Sequence, residues 1–168
     1  MKTLKFFLLA VVAVVFFACE QPTTGPSFSL SYGDQEIVNG AVIDVTMDHY
    51  AWGEIVAHVL LKNNGSATTF TMKEVRNYDY TKYVPSFCVS QCMMGNGEKE
   101  QLWEPPFEVA TGEEQDLAMH LKVNAFVDGE EIFQESANCP GVFTISNGTE
   151  SIEFTLNFIY DKAAIPAE

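Results

Sequence analysis

Residues 151–160 alternate: Ile152, Phe154, Leu156, Phe158 and Tyr160 share one parity, and Ser151, Glu153, Thr155 and Asn157 share the other. A period of two belongs to the pleated strand, whose successive side chains leave opposite faces, so this stretch can bury one face only as a half-covered antiparallel strand. Residues 117–125 repeat the pattern, with Leu117, Met119, Leu121, Val123 and Ala125 inward, and so do 41–47 through Ala41, Ile43, Val45 and Met47. From Ser27 onward no window carries apolar residues at helical spacing over three turns.

Residues 55–61 are apolar on both parities except at His58, which predicts a mid-sheet strand covered on both faces. The Thr-rich 67–75 segment, with Phe70 and Met72 on one face, follows Asn63-Asn64-Gly65-Ser66, the composition of a tight hairpin turn. The two segments are therefore expected to pair as neighbours. Shorter candidates fall at 28–32, 84–89, 101–103, 107–109, 131–134 and 142–146. Turn punctuation separates them at Gly33-Asp34, Asn39-Gly40, Gly95-Asn96-Gly97, Pro105-Pro106, Asp128-Gly129 and Asn147-Gly148. Many short strands at this spacing predict an all-β, antiparallel β-sandwich forming a single domain over 27–161, with 162–168 as a C-terminal tail.

The segment before this domain has another character. Lys2 and Lys5 precede an uncharged apolar run over 6–18 that stops at Cys19. This is the layout of a cleaved export leader, and the run is too short for a spanning helix of ~20 residues. Phe16-Phe17-Ala18-Cys19 resembles a lipobox, in which a small residue precedes the cysteine that receives lipid. Residues 1–18 are thus expected to be a signal peptide, Cys19 the lipidation site, and 19–26, rich in Pro, Thr and Gly, a flexible tether. Removing Lys2 and Lys5 takes the formal charge from −14 to −16. Such an acidic surface disfavours nucleic acid and anionic headgroups as partners, and solubility is its plainest reading.

The stretch Gly53-Glu54-Ile55-Val56-Ala57-His58-Val59-Leu60-Leu61-Lys62-Asn63-Asn64-Gly65-Ser66-Ala67, followed by Ser86-Phe87-Cys88 and Cys92, resembles small Ig-like lipoproteins of the Bacteroidetes type. Val89 stands where their hairpin carries Trp. The resemblance covers the leader and roughly residues 34–92. It implies an Ig-like sandwich on a lipid tether, in company with accessory modules of surface glycan-handling or adhesion systems.

With Cys19 spent on lipid, Cys88, Cys92 and Cys139 remain in an oxidising compartment. Extended chain would hold Cys88 and Cys92 ~13 Å apart, beyond bridging range, so their disulfide requires a turn within Val89-Ser90-Gln91. Proximity favours that pair; Cys139 is left free, or pairs with one of them across a long loop. A zinc site from these three cysteines and His120 lacks a second closely spaced ligand pair, and no metal is expected.

His49, His58 and His120 stand beside no nucleophile motif, and neither a phosphate loop nor a dinucleotide fingerprint is present. His58 reads as a hydrogen-bonded core or edge histidine and His120 as an outward one. The acids at Glu113-Glu114, Asp116, Asp128 and Glu130-Glu131 lack the spacing of a calcium loop and read as solvated turns. No catalytic residue and no cofactor is expected.

Aromatics carry the candidate binding surface: Tyr50 and Trp52 before the 55–61 strand, Tyr78, Tyr80 and Tyr83 around Asn77 and Asp79, and Trp103 before the prolines. Rings with polar tips on the loops of a rigid sandwich suit a glycan or a peptide, although they also serve as core. The sequence therefore predicts a non-enzymatic binding module, lipid-anchored in the bacterial envelope, with the outer membrane as the expected location and a glycan or envelope protein as partner. An envelope glycan hydrolase and a structural subunit of a surface fibre are the alternatives.

Overall fold

The computed structural model describes residues 25–46, 54–123, 126–127, 130–131 and 136–161. Cys19, Tyr50 and Trp52 lie outside them. Within them the chain forms strands β1 (Phe28–Tyr32), β2 (Gln35–Ile37), β3 (Ala41–Thr46), β4 (Glu54–Asn63), β5 (Thr68–Arg76), β6 (Tyr83–Cys88), β7 (Cys92–Met94), β8 (Glu100–Val109), β9 (Glu114–Val123), β10 (Phe126–Val127), β11 (Glu130–Glu131), β12 (Ala137–Ser146) and β13 (Ser151–Tyr160). One sheet runs β2-β1-β4-β9-β6-β7, the other β3-β13-β12-β5-β8, and β10 pairs with β11. All pairings are antiparallel except β3 on β13, which is parallel. This is the all-β sandwich that the alternation predicts.

The inward parity of each strand meets that of the facing sheet. In β13 the buried residues are Phe154, Leu156, Phe158 and Tyr160, and in β9 Leu117, Met119, Leu121 and Val123. Phe28 and Phe87 of the six-stranded sheet interleave with Phe70, Phe107 and Trp103 of the five-stranded one, ring centroids 5.2–6.1 Å apart. Each such contact adds about 0.5–1.5 kcal/mol beyond the area it buries. The strand ends close through tight turns, as at Asn147-Gly148, where Gly148 takes φ 87°, a left-handed conformation that costs a side-chain-free residue little.

Three sequence expectations are corrected. β4 is mid-sheet, between β1 and β9, but only one of its faces is covered: Ile55, Ala57, Val59 and Leu61 are buried, while His58 is exposed and Leu60 is 38% exposed. A two-layer sandwich leaves the outer face of each sheet to water, whatever apolar residues that face carries.

The second correction concerns Asn63-Asn64-Gly65-Ser66, which does not make a hairpin. β5 pairs with β12 and β8, so the chain crosses there from one sheet to the other. Asn63 builds the corner. Fully buried, it donates from Nδ2 to the carbonyls of Ser66 (2.9 Å), Val109 (2.9 Å) and Ala110 (3.2 Å), and its Oδ1 accepts from Gly65 N at 3.0 Å. One amide thus satisfies backbone groups that a sheet-to-sheet crossing leaves without ladder partners.

Pro105-Pro106, finally, does not end a strand. β8 passes through both prolines by a bulge: Phe70 faces Phe107 while Met72 faces Trp103, so the register shifts between them. Because β8 is the edge of its sheet, the missing proline N–H groups need cost no ladder bond.

Candidate binding surface

Strand directions define two ends of the sandwich. Ser27 starts the domain at one end, where Phe28 faces Asn63 and where the Glu150 carboxylate accepts from both N (2.9 Å) and Oγ (2.6 Å) of Ser27. These bonds hold the Glu150 carboxyl below its usual range. β5, β9 and β13 all run away from that end, to Arg76, Val123 and Tyr160. The 77–82 connection therefore lies at the opposite end, and with it Tyr78, Tyr80 and Tyr83. Thr46, beside Ile159, and Glu54, beside Lys122, also lie there.

The connection is locally built. The side chain of Asp79 accepts from N and Oγ1 of Thr81 (3.1 and 2.6 Å), and its carbonyl accepts from the N–H groups of Lys82 and Tyr83. Its carboxyl is held low, chiefly by the Thr81 hydroxyl. Tyr83 packs against Tyr160 at 5.2 Å and edge-on to Tyr78 at 6.4 Å. All three tyrosines of the connection are half-buried, with part of each left to solvent.

Beneath them lies a buried ion pair. Glu74 and Arg76 are each 1% exposed, with Glu74 Oε2 accepting from Arg76 Nε and Nη2 at 3.2 Å and Oε1 accepting from Tyr78 Oη at 2.9 Å. The guanidinium also donates to Asn96 Oδ1, to the Glu98 carbonyl and to Gln101 Oε1, which fixes the β7–β8 connection. Burial raises the Glu74 carboxyl above its ordinary value, against the opposing pull of Arg76. Burial likewise pushes the Tyr78 phenol far up, with the Glu74 charge adding to it. Gly141 admits the carboxylate: a Cβ there would lie 3.4 Å from Glu74 Oε1 and 2.9 Å from the Phe143 ring.

Trp103 does not join the tyrosines at the surface. It is 2% exposed, wedged between Phe87 and Arg76, whose guanidinium carbon lies 5.8 Å from the ring centroid. Its Nε1 makes no hydrogen bond, although it is near enough to Glu74 to favour the charged carboxylate. Trp103 follows the inward parity of β8, and that parity decides its place.

Cys88 and Cys92 form a disulfide across the β6–β7 hairpin, with Cα atoms 4.0 Å apart, and Cys139 is a buried free thiol pushed up to about 12 by desolvation, with Asp79 adding. His58, expected in a core or edge setting, stands on the solvent face with Nδ1 2.8 Å from Asp116. His120 meets Glu54 at 2.9 Å on the same face. Ser86 lies directly across from His120 without a hydrogen bond between them, and the His120 ring nitrogen is turned to Glu54 instead. Among the described residues, no three His, Cys, Asp or Glu side chains converge as a metal-binding group.

Sequence reading missed the Glu74–Arg76 pair. The signal was present, because Phe70, Met72, Glu74 and Arg76 share one parity of a strand whose first members are core residues. Two opposite charges on an inward parity announce a buried pair.

No family model matches the sequence, and no curated protein matches it either. Among solved structures, the N-terminal domain of PorA superposes with a TM-score of 0.54 at 20% identity, covering 80% of this chain and 98% of that one. The PapD-like domain 7 of human CEP192 (TM-score 0.40, 12% identity, 98% of this chain and 99% of that) and the CooA pilin subunit of enterotoxigenic Escherichia coli (0.39, 11%, 81% and 99%) are more distant. At such identities the likeness to PorA concerns the fold alone.

Proposed function

We propose that this chain is an envelope lipoprotein, anchored through lipid on Cys19, whose sandwich is a non-enzymatic module that binds a glycan or a protein partner. One observation carries the reading: the domain is entered at Ser27, and Tyr78, Tyr80 and Tyr83 lie at the opposite end. A module tethered at one end presents the other to the surroundings. Half-buried tyrosines, held from below by an ion pair, offer apolar faces and polar tips at little entropic cost.

The resemblance to small Ig-like lipoproteins of the Bacteroidetes type supports the tether, and the leader supports export to the bacterial envelope, with the outer membrane as the expected anchor. His58 and His120, each set against a carboxylate rather than a nucleophile, support a non-enzymatic role.

The test is a glycan array together with a pull-down from native envelopes, using the fragment from Ser27, which contains every described strand. A ligand whose binding is lost in Tyr78→Ala and Tyr80→Ala supports the reading, and silence in both assays defeats it. Radiolabelled palmitate should label the wild type and not Cys19→Ser; label retained by the variant defeats the anchor.

A further inference from the structure

The six-stranded sheet has a gap in its pairing. β9 is paired with β4 from Lys122, opposite Glu54, as far as Glu114, opposite Lys62, but β6 reaches only from Val123 to Ala118. Among the described residues, no strand lies against residues 114–117 on that side.

The hydrogen-bond phase shows which groups face the gap. Cys88 and Cys92 sit 4.0 Å apart at their Cα atoms, the spacing of a pair that exchanges no backbone bonds, so Cys88 turns its N–H and C=O toward β9. The Gly95 N–H to Pro85 carbonyl bond, 2.8 Å, puts the other parity of β6 on the β7 side, in agreement. Ala118 faces Cys88, so by alternation Asp116 and Glu114 point their N–H and C=O into the gap. On the β4 side the bond from Asn63 N–H to the Glu113 carbonyl confirms the phase. Gln115 supplies part of what is missing: its Nε2 donates to the Asp116 carbonyl at 3.0 Å.

Beside this edge runs a groove of about 210 Å³, with Val89 and Met93 of the disulfide hairpin at one end and Pro106 and Phe107 of β8 as an apolar wall. No lysine or arginine lines it. Glu108, which lines it, is exposed and makes no ion pair among the described residues, on a chain of formal charge −14.

We propose that residues 114–117 accept a short extended segment of another protein by strand addition, one that alternates apolar residues with Lys or Arg. Its backbone pairs with Asp116 and Glu114, its apolar side chains meet Pro106 and Phe107, and its cations, on the other face of the added strand, meet the carboxylates of Glu114 and Asp116, with Glu108 adding to the acidic field. A second copy of this chain is disfavoured as occupant, because two strongly acidic surfaces repel. The site lies apart from the tyrosine end and does not depend on what binds there.

The experiment titrates the full chain in detergent with a heptapeptide alternating Val and Lys, and with its Val/Glu counterpart, reading affinity and backbone amide shifts. Expected are binding of the Val/Lys peptide alone, weakening with salt, and shifts centred on residues 114–117. Asp116→Pro deletes an N–H that faces the gap and not β4, and should weaken binding about tenfold or more, a loss of about 1.4 kcal/mol. Glu108→Lys should weaken it severalfold, and Gln115→Ala, which frees the carbonyl, should strengthen it. Should Asp116→Pro fail to fold, the latter two variants decide. Equal binding of both peptides, shifts elsewhere, wild-type affinity in folded Asp116→Pro, no response to Glu108→Lys and Gln115→Ala, or peptide-free self-association through 114–117 would each overturn the proposal.

Discussion

Asn63, at the end of β4, and the Glu74–Arg76 pair at the far end of β5 are both buried polar constructions, and they solve different problems. Asn63 is neutral and binds only main chain, so it fixes where the chain changes sheet. Glu74 and Arg76 are charged and bind mostly side chains, so they fix what sits above them: Tyr78 on one side and the β7–β8 connection on the other. A neutral amide that exchanges water for carbonyls is nearly balanced. A buried ion pair carries a desolvation cost for each partner, which makes it far more sensitive to losing one of them.

The sharpest break of this contrast is Arg76→Met, which strands the Glu74 carboxylate in the core; a loss of about 3–5 kcal/mol is expected in urea denaturation, much of it recovered in the double variant with Glu74→Gln. The same pair gives a pH signature. Burial raises the folded-state pKa of Glu74 above the unfolded value of 4.5, so the folded state holds the proton more tightly. Its contribution to stability is therefore greatest below pH 4.5 and declines as pH rises through the folded value. In Glu74→Gln that decline should be absent.

Asn63→Ala should cost less, about 2–3 kcal/mol, since it leaves several carbonyls and the Gly65 N–H unpaired without stranding a charge. The cost should be the same at pH 5 and pH 8. Cys139, buried near the charged end, should resist iodoacetamide at pH 8 in the folded protein and react once unfolded. With its folded pKa raised to about 12 from 9.0, its share of stability is intact below pH 9 and is lost as pH rises toward 12. The smallest effect belongs to Tyr80→Ala, a change within about 0.5 kcal/mol in stability, measured beside the loss of ligand that the proposed function requires.

Several strands were legible almost to the residue. β13 coincides with its predicted span and β3 fills residues 41–46 of its own, Met47 lying outside the described residues, because alternation is a local property that every residue pair repeats. The Cys88–Cys92 pairing was legible from proximity and an intervening turn. Trp103 was misplaced at the surface because its neighbours Pro105 and Pro106 suggested a loop, whereas a bulge carries the strand through them. The gap beside β9 has no sequence signal at all, since it depends on where another strand, β6, stops.

Sequence alone determined that this chain is a sandwich of short strands and which parity of most strands faces inward, since a period of two follows from the pleat and burial selects one side of it. Tertiary structure alone decided which strands are neighbours. The crossing at Asn63 sends β5 to the opposite sheet, β4 keeps one wet face, and Glu74 with Arg76 becomes tolerable inside only because Asn96 and Gln101 converge on Arg76 from elsewhere in the chain. Those outcomes depend on contacts between residues far apart in sequence, and a local pattern carries no record of its distant partners.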